Sequence, residues 1–256
     1  MSEYCENFEG FEIVLDRYDG ITIGQSSFIY DEDGFEEKLE RLISKLIGEK
    51  RKLLWIYLSI KQATLVPLCA KLGFEFHTCE SHKILMVKKL ITNPIIPTAS
   101  NHTLGVGVVV INDKNELLVI KEKHSTVGFK LPGGHIDDAE LIQSAVKREV
   151  YEETGVNVCF DSIVSLGHFY PHQFNKSNLY ILCRAKPLSL EIDIQDTDEI
   201  VEAKWIDVQE YINEPNGFDY NKQIVKAALS QEGLVLNHLD SLKKIPRAFE
   251  LFFPKT

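Results

Sequence analysis

The stretch that decides the fold runs from Gly134 to Val156 and reads GHIDDAELIQSAVKREVYEETGV. Apolar residues in its first half recur at helical spacing, which predicts an amphipathic helix. Continued at about 100° per residue, the apolar stripe reaches three glutamates, Glu149, Glu152 and Glu153. A face that should be apolar is therefore predicted to carry carboxylates that point inward.

This placement is unfavourable unless a cation is bound. Like charges at these spacings each cost a few tenths of a kcal/mol. Gly155 is placed to end the helix, so Glu152 and Glu153 fall in the last turn, where the helix dipole disfavours anions. A divalent ion that prefers oxygen ligands, such as Mg²⁺ or Mn²⁺, would offset both penalties. We therefore predict a metal site. The alternative is an acidic surface helix whose end simply exposes these glutamates to solvent. The helix pattern and its glycine stop, taken alone, would favour this alternative.

The spacing of the fixed residues favours the metal site. From Gly134 the chain has five residues, Glu140, seven residues and then REVYEETGV at 148–156. All nine constrained positions of the Nudix box are met within these 23 residues. The chain therefore resembles the Nudix hydrolases. The resemblance implies an α/β fold, the Nudix α/β/α sandwich with a mixed sheet, preceded here by a smaller α/β domain.

The resemblance also implies roles for individual residues. By match to the motif, Glu152 and Glu153 would be metal ligands, and Glu149 would be a third ligand or the base for the attacking water. The carbonyl of Gly133 would join the coordination. Arg148, beside Glu149, would orient that carboxylate through a charge-assisted hydrogen bond.

Other acids and the substrate contacts are predicted outside this set. Glu140 is expected to begin the helix, where its charge suits the dipole, and to have a structural role. Related sequences place a further catalytic acid six residues before a tryptophan, which is Glu199 before Trp205, with Glu202 as second choice. A nucleobase needs an apolar face to stack on. The substrate-binding candidates are Gly134, His135 and Phe169.

A boundary between two domains is predicted near residues 92–101, where two prolines and small polar residues interrupt the chain. It gives an accessory domain at 1–95 and a Nudix domain at 100–256. The segments at 55–58, 63–68 and 71–77 resemble the pre-Nudix region of one Nudix subfamily, which has an acyltransferase-like (GNAT-like) fold. Acyl transfer itself is not expected, because the glycines before the boundary form no cluster for a pyrophosphate.

Hydrophobic periodicity and turn residues predict the remaining elements. In the first domain, strands are expected at 21–23, 28–30, 53–60, 74–76 and 84–87, with helices at 35–47, capped by Asp31 or Asp33, and at 63–72. In the second, strands at 104–111 and 116–121 should form a hairpin through the turn at 112–115. Strands at 163–170, 179–185 and 202–206 and helices at 208–212 and 221–230 complete the prediction.

Composition restricts the partners. The net charge of −10 argues against non-specific binding to nucleic acid or anionic membranes. No apolar run is long enough to span a membrane, and the acidic N-terminus has no leader pattern, so a cytoplasmic protein is expected. The five cysteines form no CxxC pair, which favours neither disulfides nor zinc.

The predicted activity follows from the resemblance. It is Mg²⁺- or Mn²⁺-dependent hydrolysis of the pyrophosphate bond in a nucleoside diphosphate linked to another moiety. The subfamily suggests ADP-ribose or NADH as the substrate and AMP as one product, in a possible homodimer. The alternatives are hydrolysis of nucleoside triphosphates or capped RNA ends, and a nucleotide sensor without catalysis.

Overall fold

The computed structural model describes residues 5–16, 19–24, 34–215, 217–242, 244 and 246–255. These residues form two compact units, one up to Ser100 and the other from Asn101 onward, and each is described by itself. None of the helices in these ranges is long and apolar enough to cross a membrane.

The first unit is built on a six-stranded sheet with the order β1-β2-β3-β4-β6-β5. Strands β3 and β4 are parallel, and the other neighbours are antiparallel. Helix α1 packs its apolar side against one face of β4. The elements are β1 Cys5–Phe8, β2 Phe11–Leu15, β3 Gly20–Ile23, α1 Phe35–Gly48, β4 Leu53–Ser59, α2 Val66–Lys71, β5 Glu75–Cys79 and β6 Lys83–Lys89.

Most predicted elements of this unit are found. The helix predicted at 63–72 is divided into a 3₁₀ segment, Ile60–Leu65, and the short α2. Strands β1 and β2 were not predicted. They are joined by a two-residue hairpin turn, Glu9 and Gly10, in which both residues have a positive φ. The strand predicted at 28–30 and the caps predicted at Asp31 and Asp33 lie outside the described residues.

The second unit contains a five-stranded sheet with the order β13-β12-β9-β10-β7 and a separate pair, β11-β8. Strands β10 and β7 are parallel and the other neighbours in the larger sheet are antiparallel, so this sheet is mixed. The elements are β7 His102–Val110, β8 Glu116–Glu122, α3 Ile142–Thr154, β9 Val158–Phe169, β10 Ser177–Pro187, β11 Ile200–Asp207, α4 Val208–Asn213, α5 Asp219–Ser230, β12 Leu234–Leu236 and β13 Phe252–Pro254.

Helices cover both faces of the mixed sheet. On one face, Val106 and Val108 of β7 pack in one buried cluster with Ala145 and Val146 of α3. On the other face, residues of α4 and α5 form a second buried cluster with β7 and β10. Residues 105–110 of β7 are all buried, and Val109 joins the second cluster while Val108 and Val110 join the first, because successive side chains of a strand point to opposite faces. The α/β/α sandwich predicted from the resemblance is confirmed.

The predicted hairpin between β7 and β8 is wrong. Its turn is present, since the Asn112 amide donates to the Glu116 carbonyl at 3.0 Å. After one bridge between Ile111 and Leu117 the strands separate, and β8 pairs with β11 instead. The edge of β7 that β8 would have used is occupied by the loop at 132–136, whose carbonyls accept from β7 amides.

Candidate functional site

Helix α3 carries the glutamates, and its two ends are fixed differently. Gly155 ends the helix with φ 74°, as predicted. The start differs, because the helix begins at Ile142 rather than at Glu140, and Leu141 provides no side-chain cap. The free amides of Ile142 and Gln143 donate instead to the Glu250 carboxylate, at 2.6 and 3.1 Å. The prediction that Glu140 begins the helix is therefore wrong.

Two of the three glutamates point inward. Glu149 is 9% exposed and Glu153 is 5% exposed, so both continue the buried stripe of Ala145 and Val146. The Glu152 side chain is 46% exposed, and the prediction of three inward carboxylates is wrong for this residue. At about 100° per residue, Glu152 lies beside the stripe rather than on its centre line.

Arg148 connects the acids of this region. Its Nε and Nη2 donate to both oxygens of Glu140, at 2.9 and 2.7 Å. Its Nη1 donates to Glu149 at 2.9 Å and to Glu152 at 3.1 Å. Nη2 also donates to the His135 carbonyl at 2.9 Å. The predicted contact between Arg148 and Glu149 is present, and the same guanidinium ties the helix to the preceding loop. It also holds the pKa of Glu140 below its usual value.

Two glycines let this loop approach the carboxylates. Gly133 has φ 143°, and a Cβ there would lie 2.0 Å from the Val106 carbonyl oxygen. Its amide donates to Glu153 at 2.7 Å. A Cβ on Gly134 would lie 2.7 Å from a carboxylate oxygen of Glu149. Within the described ranges, the Gly133 carbonyl accepts no hydrogen bond, so it remains available to a ligand.

Burial gives both inward carboxyls raised pKa values. For Glu153, burial raises the pKa to about 8, while the Gly133 amide and Lys130 act in the opposite direction. For Glu149, burial also raises the pKa, and the hydrogen bond from Arg148 opposes the change. Ionised carboxylates are therefore costly here unless more positive charge is supplied.

Glu199 belongs to the surroundings of Glu153. Its carboxylate lies close enough to raise the pKa of Glu153 further, and its carbonyl accepts from the Lys123 amide at 2.8 Å. Glu202, the second choice, is exposed on β11, and its carboxylate lies 3.5 Å from the ammonium group of Lys204. A cavity of about 560 Å³ beside Glu199 is lined by Glu122, His124, Ser125, Asp196, Asp198 and Glu199.

The donor chemistry fits a hard divalent cation. Carboxylates of Glu149, Glu152 and Glu153 and the Gly133 carbonyl are oxygen ligands of the kind that Mg²⁺ prefers. Their present positions do not converge: across the described parts of the chain, no group of three His, Cys, Asp or Glu side chains stands ready to hold a metal ion. The carboxylate of Glu152, the exposed member, is held by Arg148 at 3.1 Å.

Tyr180 was missed by the sequence reasoning. Its ring lies over Gly105 and Gly107 of β7, where a Cβ would come within 2.7 and 2.8 Å of the ring. Burial raises the pKa of its hydroxyl, and the carboxylates of Glu153 and Glu149 add to the effect, so Tyr180 adjoins the site. The only available sequence signal was the Gly-x-Gly pattern in β7.

The predicted substrate contacts are spread over two places. His135 lies in the loop at 132–136 before α3, and its ring centroid is 6.2 Å from that of His172. Phe169 is at the end of β9 and packs edge-on against Tyr220, with ring centroids 5.6 Å apart. It is 40% exposed. The structure therefore brings His135, but not Phe169, into the glutamate region itself.

Comparisons with known proteins identify the family of the chain. A family model for the NUDIX domain matches residues 101–228, and one for a Nudix hydrolase domain matches 11–90. Nudix hydrolase 8 of Arabidopsis thaliana is 34% identical over 206 residues, which are 78% of this chain but only 56% of that protein. Nudix hydrolase 2 of the same plant is 34% identical over 207 residues, 79% of this chain and 74% of that protein.

Two further similarities are more distant. The human protein named nucleoside diphosphate-linked moiety X motif 6 is 29% identical over 224 residues, covering 84% of this chain and 71% of that protein. A solved MutT NUDIX hydrolase from Burkholderia pseudomallei is 20% identical with a TM-score of 0.43, over 50% of this chain and 98% of that one. On the family models and the plant relatives, the chain belongs to the Nudix hydrolases, enzymes that hydrolyse pyrophosphate bonds.

Proposed function

We propose that this enzyme hydrolyses the pyrophosphate bond of nucleoside diphosphate-linked substrates, with ADP-ribose or NADH preferred and AMP released as one product. The observation that carries the proposal is the pair of buried carboxyls, Glu149 and Glu153, held against the Gly133–Gly134 loop. Acids at such positions are costly unless they bind a cation. The name of the human relative refers to the same class of substrate.

Mg²⁺ or Mn²⁺ is the proposed cofactor. Glu149, Glu152, Glu153 and the Gly133 carbonyl would hold it. When bound, the ion supplies charge neutralisation for the diphosphate oxygens and lowers the pKa of a water molecule.

The chain's own residues have distinct proposed tasks. Arg148 orients Glu149 and Glu152, because one nitrogen donates to both carboxylates. Either Glu149 or Glu199 accepts the proton of the attacking water. Gly134 gives the substrate access to the loop backbone without a side chain in the way. His135 and Phe169 would contact the substrate.

The first unit would be an accessory GNAT-like domain without acyltransferase activity, and the enzyme would be a homodimer in the cytoplasm. The alternative activities are hydrolysis of nucleoside triphosphates or capped RNA ends, and nucleotide binding without turnover. A substrate panel separates them.

The test is a panel of ADP-ribose, NADH, nucleoside triphosphates and capped RNA, with product masses, in Mg²⁺, Mn²⁺ or EDTA. In H₂¹⁸O the label also shows which phosphorus the water attacks. We expect AMP from ADP-ribose and NADH with either metal, and no turnover in EDTA. The variants Glu149→Gln and Glu152→Gln should lose at least about 100-fold in kcat.

Glu210→Gln is the matched control, because Glu210 is an exposed carboxylate on α4, which packs on the other face of the sheet from α3. It should keep wild-type kcat. Full activity of both box variants, or of the wild type in EDTA, would contradict the catalytic assignment. Binding of ADP-ribose without any product would favour the sensor.

A further inference from the structure

The sheet of the first unit has a second apolar face, opposite to the one that α1 covers. Side chains alternate along β4, so Leu54 and Ile56 pack with α1 while Leu53 and Trp55 point the other way. Trp55 belongs there to a small buried cluster. It also lines a cavity of about 260 Å³, whose wall is formed by Asp16, Thr22, Trp55, Tyr57, His77, Leu85 and Pro97.

Rings and aliphatic side chains form most of this wall, and polar groups are few. The combination is typical of small-molecule sites, which hold a ligand by apolar contact and orient it through a few polar atoms. Such sites usually measure about 300 to 1,000 Å³. The cavity is slightly smaller, so it has room for one ring system but not for a whole nucleotide.

The tryptophan of the wall is fixed in place by the protein itself. The indole N–H of Trp55 donates to the Asp16 carboxylate at 3.1 Å, and the Gly20 amide donates to the same carboxylate at 2.9 Å. Trp55 is 6% exposed. A ligand therefore meets a preformed aromatic surface and does not have to order this side chain when it binds.

His77 supplies a polar atom without a partner. Its Nε2 lies 2.7 Å from the Pro97 carbonyl oxygen, which can only accept, so Nε2 carries the hydrogen and donates. In the neutral ring Nδ1 is then a bare acceptor. Among the described residues this buried atom has no hydrogen-bond partner, which is unfavourable for a polar group. The His77 ring also packs edge-on against Trp55, with centroids 4.9 Å apart.

We propose that this cavity binds a small planar heteroaromatic compound whose N–H donates to Nδ1 of His77. The ring of the ligand packs against the aromatic and aliphatic wall. Since Nδ1 is closed to water in the structure, the His77 ring shifts slightly when the ligand enters. The proposal does not depend on the hydrolytic activity, because every residue of the cavity belongs to the first unit.

The two parts of the wall have different effects on selectivity. The aromatic and aliphatic surface accepts any flat apolar ring of the right size, because stacking and dispersion are not specific for one compound. The bare nitrogen discriminates, since a site that hydrogen-bonds an N–H group binds an analogue without that group more weakly. A ligand of this site is therefore recognised by a donor on a ring, not by charge.

The experiment uses benzimidazole and benzoxazole, two rings of the same shape in which an oxygen of the second replaces the N–H of the first. Each is titrated into the ¹⁵N-labelled full chain at about pH 8, where free imidazole groups are neutral. The Trp55 indole N–H signal should shift and saturate with a Kd of about 1 mM or tighter for benzimidazole. For benzoxazole the Kd should be about fivefold higher.

The chain contains its own control for location. It has two tryptophans, and Trp205 lies on β11 of the second unit, so its indole signal should not move. The variant Trp205→Phe assigns the two signals. A Trp55 signal that does not move with benzimidazole, or equal shifts of both tryptophans, would overturn the proposal.

His77→Phe tests the hydrogen bond, because it keeps an aromatic ring and removes the acceptor. The two compounds should then bind with Kd values within about twofold of each other. His82→Phe is the matched control, since His82 is an exposed histidine of the same unit outside the cavity, and it should keep the preference for benzimidazole. A preference that survives in His77→Phe would refute the assignment.

A further measurement on the wild type decides if His77→Phe is misfolded. The ¹⁵N resonance of His77 Nδ1 should move toward the position of a hydrogen-bonded nitrogen with benzimidazole and not with benzoxazole. The same movement with both compounds, or with neither, would contradict the proposed hydrogen bond.

Discussion

Glu153→Gln is predicted to stabilise the metal-free protein at alkaline pH while removing its activity. Glu153 is 5% exposed and accepts a hydrogen bond from the Gly133 amide at 2.7 Å. A glutamine has nearly the same shape, and its carbonyl oxygen can accept the same hydrogen bond. It carries no charge, so the cost of burying an ionised group disappears.

The magnitude follows from the pKa of Glu153, which burial raises from 4.5 to about 8. Between these values the folded state binds a proton that the unfolded state has lost, so stability falls as pH rises. Each pKa unit is about 1.4 kcal/mol, which sets a ceiling near 5 kcal/mol above pH 8. The buried amide hydrogens of glutamine offset part of this, and we expect a net gain of about 2 kcal/mol.

The assay is scanning calorimetry in EDTA at pH 5 and pH 8.5. At pH 8.5 the transition of the second unit should rise by about 4 to 8 °C in Glu153→Gln, and at pH 5 the difference should be small. Added Mg²⁺ should stabilise the wild type more than the variant. Glu152→Gln is the control, because it makes the same exchange in the same helix at a side chain that is 46% exposed. Equal differences at both pH values, or a less stable variant at pH 8.5, would refute the reasoning.

Three further variants test the surroundings of this carboxylate. Arg148→Lys should lower kcat at least tenfold, which corresponds to a rise of about 1.4 kcal/mol or more in the activation free energy, since a lysine ammonium group cannot replace the planar guanidinium with its five N–H donors. A wild-type kcat would contradict this. Gly134→Ala should lower kcat about 100-fold with little change in melting temperature, because its Cβ would lie 2.7 Å from the Glu149 carboxylate. Glu250→Ala should reduce the free energy of unfolding by about 0.5 to 2 kcal/mol in urea titrations, because it removes the α3 cap; an unchanged midpoint would exclude that role.

Local periodicity was sufficient to predict the central part of the site. The apolar stripe of Ala145 and Val146 predicted the side of α3 that is buried, and Glu149 and Glu153 lie on it. The end of the helix was predictable for the same reason, because Gly155 is a local stop signal. These features depend on residues within a few turns of one another.

The features that the sequence did not predict depend on distant residues. The cap of α3 is Glu250, which follows Ile142 by 108 positions, so no local pattern contains it. The false hairpin has a similar origin. The turn at 112–115 favours pairing of β7 with β8, but the glycine loop at 132–136 competes for the same edge of β7 and binds there. Tyr180 was missed because only the pairing of β10 with β7 brings its ring over Gly105 and Gly107.

The charges around α3 give a reason for a cation that does not depend on family resemblance. Arg148 is one positive charge shared by the carboxylates of Glu140, Glu149 and Glu152. Among the described residues, the Glu153 carboxyl accepts a hydrogen bond from the Gly133 amide alone, and nearby Lys130 is held in an ion pair with Glu122. The helix therefore buries two carboxyls with too little positive charge beside them to keep both ionised at neutral pH. A protein keeps such a local conflict where function requires it. A bound divalent ion would remove the conflict at the side of α3 that the Gly133–Gly134 loop adjoins.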